Sequence, residues 1–70
     1  MSSVLVLLLM GLVDSIDHNI VAAEVTTSEH TQEIMYFPLQ LFPCAIEEGD
    51  MFYFAYVDGV TEIRCGEPPA

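Results

Sequence analysis

The chain opens on a run that is apolar on every side, SVLVLLLMGLV (residues 3–13). A secretory signal requires a basic segment ahead of its apolar stretch, and no Lys or Arg precedes Arg64. A membrane helix requires about 20 apolar residues, roughly twice this run. A strand buried on both faces is the reading that remains. Eleven residues are long for a strand, and Gly11 offers a bend, because glycine inside a strand often marks a bulge or a barrel corner. A bent first strand can serve two sheets of a small barrel. Its faces are Val4, Val6, Leu8 and Met10 on one side, and Leu5, Leu7 and Leu9 on the other. The Leu and Met content keeps a helix open as the alternative, against which Gly11 and the valines argue.

Beyond residue 13 the polar punctuation becomes regular. DSIDHN (residues 14–19) reads as a turn, rich in side chains that bond their own backbone. IVAAEVTT (residues 20–27) alternates, with Val21, Ala23 and Val25 on one face, as a half-solvated strand does. A polar loop, SEHTQ, precedes a third strand, EIMYFP, which Pro38 ends. LQLFPCAI (residues 39–46) predicts a single helical turn followed by extended chain, and EEGD predicts a tight turn with Gly49 at positive φ. MFYFAYV (residues 51–57) and VTEIRC (residues 60–65) are strands joined by Asp58-Gly59, a strong hairpin dipeptide. Five short strands and one helical turn predict an all-β, five-stranded antiparallel barrel, SH3-like or OB-like, and the order of three strands, a helical turn and two strands favours the SH3-like class. It forms one domain over residues 1–65, with 66–70 as a loose tail.

Composition turns this fold toward binding rather than catalysis. Seventy residues bury only about 60% of the surface of the unfolded chain, which leaves little room for a deep catalytic cleft. The hydrophobic fraction is 53%, more than so small a volume hides easily. Eleven carboxylates face one cation, for a formal net charge of -10. Direct nucleic-acid binding is disfavoured, since it rests on Lys and Arg displacing counterions, and so is an anionic membrane surface. A basic protein is the partner such a charge attracts. Cys44 and Cys65 make no zinc signature. They can form one disulfide, or stay as two buried thiols, the commoner case in the cytoplasmic location expected here.

Candidate chemistry is thin. Asp14, Asp17 and His18 fall together, yet they lack the ligand number of a calcium loop and fit turn chemistry better. His18 and His30 have no evident nucleophile beside them, and Glu47 and Glu48 point to opposite sides of an extended chain. No enzyme, cofactor or metal is therefore expected. The most informative stretch is MFYFAYV, where Phe52, Phe54 and Tyr56 share one face and Met51, Tyr53, Ala55 and Val57 the other. Whichever face turns inward, rings are left to show outside, as at interface cores.

Residues 13–51 resemble a family of small bacterial domains of unknown function. Its members read V-D-R-I-E-G-D-x-A-V-x-E-V, then I-P-x-x-L-L-P, then E-G-D-V. The matching stretches here are LVDSIDHNIVAAEV and FPLQLFPCAIEEGDMF, with Ser15 in place of the family's Arg. The resemblance implies a small barrel and no particular activity.

These features predict a non-enzymatic, acidic interaction module that self-associates, by default as a dimer. Its expected interface is Val4, Val6, Leu8, Met10, Phe52, Phe54 and Tyr56. The alternative is a phage-type acidic decoy that blocks a basic groove with Glu24, Glu29, Glu33, Glu47, Glu48, Asp50 and Glu62.

Overall fold

The computed structural model describes residues 5–27 and 31–68, with side chains from Leu9 onward. Five antiparallel strands form one sheet in the order β3-β2-β1-β4-β5. They are β1 (Leu5–Asp17), β2 (Ile20–Thr26), β3 (Gln32–Pro38), β4 (Met51–Val57) and β5 (Val60–Cys65), with a single 3-10 turn, Leu39–Leu41, between β3 and β4. The expected all-β class and lone helical turn are present. Closure is not: β3 and β5 end the sheet on either side and do not pair.

From Leu5 onward the opening apolar run is a strand, as its pattern predicts, and it lies at the centre of the sheet. Its first part pairs with β4 and its second with β2, and Met10, Gly11 and Leu12 pair on both sides. The strand does not stop at Val13. It continues to Asp17, and the expected six-residue turn contracts to His18-Asn19, both at positive φ. A bulge between Val13 and Ser15 makes this possible. One extra residue reverses the alternation, so Ile16 rather than Ser15 joins Val13 on the core side. The polar Asp14 and Asp17 stay exposed.

Gly11 serves a different purpose from the expected bend. The bulges of β1 lie on either side of it, between Leu5 and Leu9 and between Val13 and Ser15. Gly11 pairs with Phe52, whose ring lies across it, and a Cβ there would overlap that ring. The glycine provides the space in which the core's central aromatic sits.

The sheet curls around that ring. On a flat sheet, β3 and β4 would stand roughly 14 Å apart, three strand spacings. Yet the Phe37 and Phe54 ring centroids are 5.8 Å apart, and Phe37 meets Phe52 edge-on at 5.9 Å. The 3-10 turn and the loop after it fold beneath, where Phe42 packs edge-on to Phe52 at 5.0 Å and Ile46 is buried. Val13, Val21, Ala23, Phe42, Ile46 and Phe52 form the core. Backbone bonds clamp this cover to β1: the Val13 N–H donates to the Asp50 carbonyl, and the Gly49 N–H donates to the Val13 carbonyl, each at 2.9 Å.

Cys44 and Cys65 form a disulfide, so the reading of two free thiols is replaced by the other alternative. It ties the cover loop to the end of β5. Closing a loop of 21 residues removes about 3 kcal/mol of chain entropy from the unfolded state. That is a large share for a domain of this size.

Candidate interaction surfaces

The face of the sheet turned away from the core carries its own apolar rows. Along β2, Ile20, Ala22, Glu24 and Thr26 alternate with the buried Val21, Ala23 and Val25. The register sets Tyr36 beside Ala22, and Ile34 and Leu12 on either side of Glu24. Exposure on this face is high: Tyr36 70%, Ile34 51%, Leu12 47% and Ile20 43%. Met51 and Tyr53 continue the same face onto β4, opposite Leu12 and Met10.

The β3 edge adjoins these side chains. The Leu39 N–H donates to the Asn19 carbonyl at 2.8 Å, and the Thr27 N–H to the Thr31 carbonyl at 2.8 Å. Antiparallel alternation between those two bonds makes Val21–Phe37, Ala23–Met35 and Val25–Glu33 the bonded pairs. Gln32, Ile34 and Tyr36 therefore turn their N–H and C=O groups away from β2. Pro38 occupies the same parity, where its missing N–H costs no ladder bond. Of the usual protections of an edge strand, β3 has only Glu33 and this terminal proline.

A second surface opens where the barrel fails to close. A cleft of about 660 Å³ lies between Phe37, Leu41 and Pro43 on one wall and Phe54 and residues 61–64 on the other. Its floor is apolar. Arg64 at the rim donates to Glu62 at 3.2 Å, and that carboxylate, then the Tyr53 hydroxyl, hold the guanidinium above its ordinary pKa.

The expected interface residues do not form one patch. Phe52 is fully buried beneath Phe42 and against Gly11, so its ring has no surface to offer a partner. Phe54 is half-buried and lines the cleft, Tyr56 is exposed, and Met10 lies on the opposite face beside Tyr53. Val4 lies outside the described residues, as do the side chains of Val6 and Leu8. Sequence reasoning passed over Ile20, Ile34 and Tyr36. The signal was there in EIMYFP, which is apolar at both parities: one face can enter a core, and the other must be left over.

The carboxylates are dispersed. Glu24 sits on the outer face, Glu33 on the β3 edge strand, Glu47, Glu48 and Asp50 in the cover loop, and Glu62 against Arg64. Glu29 and His30 lie outside the described residues. The Glu47 N–H donates to the Asp50 carboxylate at 2.8 Å, which accounts for Asp50 as a turn residue. His18 Nδ1 lies 2.9 Å from the Asp17 carboxylate, with both side chains almost wholly in solvent. Among the described residues, no three His, Cys, Asp or Glu side chains gather as a metal site, and no helix is long and apolar enough to cross a membrane.

No family model, curated protein or solved structure matches the chain.

Proposed function

We propose that the protein is a non-enzymatic interaction module that self-associates through the β3 edge and the outer face beside it. The observation that supports this is the coincidence, on Ile34 and Tyr36, of exposed apolar side chains with unpaired ladder groups. Such an edge is a template for another strand. A two-fold dimer is the simplest closed solution, since the patch then meets itself. Antiparallel pairing of two β3 edges, with Ile34 against Tyr36 of the second copy, keeps the Glu33 side chains from facing each other. It also extends both apolar outer faces into one. Light scattering at micromolar concentration tests the reading. A dimer is expected, and Ile34→Lys/Tyr36→Lys should return it to monomer. A monomer at every concentration would overturn it.

The strand order, with the first strand central and a slit between β3 and β5, supports the OB-like over the SH3-like reading, an OB fold being a partly open five-stranded barrel. The resemblance to small bacterial domains accords with a barrel and adds no activity. A decoy needs its carboxylates along one track, and their dispersal gives that reading no support. The Cys44–Cys65 bond favours an oxidising compartment over the cytoplasmic one expected from the sequence. Thiol counting on protein taken directly from its native source tests this, with no free thiol expected.

A further inference from the structure

We infer that the slit closes: β3 and β5 pair as parallel strands in the monomer, and a partner's β3 competes with β5 for the same edge. Closure concerns the monomer alone, and its effect on assembly rests on the self-association reading. Strand direction, backbone polarity and the facing of side chains each support it.

β1 runs antiparallel to β2 and β4, β2 to β3, and β4 to β5. The two edge strands therefore point the same way. The curl of the sheet brings them to opposite sides of one cleft, lined by Phe37 of β3 and residues 61–64 of β5. Phe37 already meets Phe54, their ring centroids 5.8 Å apart, and Phe54 is the ladder neighbour of Ile63. The core side of the barrel is thus joined across the slit, and only the backbone ladder is missing.

That ladder has its groups in place on both strands. Val57 and Val60 form the bonded pair that closes the Asp58-Gly59 hairpin, and the Gly66 N–H donates to the Met51 carbonyl at 2.8 Å at the other end. Alternation leaves Thr61 and Ile63 with N–H and C=O groups turned away from β4, as Ile34 and Tyr36 turn theirs away from β2. In a parallel pair the bonds slant, so a residue bonds to the two neighbours of the residue opposite. With Tyr36 opposite Glu62, the Tyr36 N–H donates to the Thr61 carbonyl and the Ile63 N–H donates to the Tyr36 carbonyl. The Thr61 N–H donates to the Ile34 carbonyl in the same register.

The faces match as well. Tyr36 and Glu62 both stand away from the core, and Phe37 and Ile63 both pack against it. Neither strand has to roll over for the slit to close. Closure uses the ladder groups of Ile34 and Tyr36 that the dimer also needs, so the dimer draws only on the open monomer. An edge covered in this way is also shielded from unrelated strands.

Amide exchange in uniformly 15N-labelled protein, below and above the concentration of dimerisation, tests this. In the dilute monomer the Ile63 amide should exchange about threefold more slowly than in an unstructured peptide. In the dimer Ile63 should lose that protection while Tyr36 keeps its own. Thr61→Pro, at an exposed position, removes a slit-facing N–H and should return Ile63 to the peptide rate. Threefold protection leaves about one monomer in three open. Both protomers must open, so Thr61→Pro should tighten the dimer about ninefold. If that variant does not fold, the opposite responses of Ile63 and Tyr36 to concentration carry the test in the unaltered chain. Exchange of Ile63 at the peptide rate in the monomer would overturn closure. Protection of Ile63 that survives in the dimer would overturn the competition. If no dimer forms, the self-association reading falls with the competition, and slow exchange at Ile63 still supports closure.

Discussion

The two faces of the sheet are made of similar residues and have opposite fates. On the inner face, Phe37, Phe52 and Phe54 sit beneath Phe42 and Ile46. On the outer face, Ile34, Tyr36, Leu12 and Ile20 are likewise large apolar or aromatic side chains and lie open. Hydrophobicity does not distinguish them. The loop between β3 and β4 does, because it can cover only one side, and the disulfide fixes it there. Apolar area contributes to folding where the chain supplies its own cover. Where it does not, the same area is available to a second molecule.

This contrast can be broken from either side. The largest effect is expected at Phe52→Ala, which empties the ring cluster and should cost about 3–5 kcal/mol of unfolding free energy in urea titration. Cys44→Ser/Cys65→Ser should cost about 3 kcal/mol, and reduction of the wild-type chain should reproduce that loss. Gly11→Ala drives a methyl into the Phe52 ring and should cost about 1–3 kcal/mol, even though alanine is the smaller change chemically. Phe52→Leu in the same chain should recover part of it, which separates a steric clash from a general weakness of β1. At the hairpin, His18→Asn/Asn19→Gly fits the positive φ of both residues and should raise the thermal midpoint, by about 1 kcal/mol in free energy. The smallest effect on folding belongs to the outer face, where Ile34→Lys/Tyr36→Lys should stay within about 0.5 kcal/mol. If that pair destabilises the chain as much as Gly11→Ala does, the outer face contributes to folding and the distinction between the faces fails.

Much of the fold was legible in the residues. Asp58-Gly59 marked its hairpin, Pro38 the end of β3, and Gly49 its turn, because each rests on a local backbone requirement. Turn chemistry at residues 14–19 misled, since Asp14, Ser15 and Asp17 are polar for being on the exposed side of a bulged strand rather than for making a turn. The expected interface failed at Phe52 for a related reason. Its strand shows rings at both parities, and only the neighbour across the sheet, Gly11, decides which ring is swallowed.

By itself the sequence determined the strands, the tight turns and the surplus of apolar side chains, since those follow from alternation, glycine and proline acting within a few residues. Tertiary structure alone decided which face is covered, whether the cysteines pair and where the barrel stays open. Those outcomes depend on groups 20 or more residues apart meeting in space, as Cys44 and Cys65 do across a separation of 21, and no local pattern encodes such a meeting.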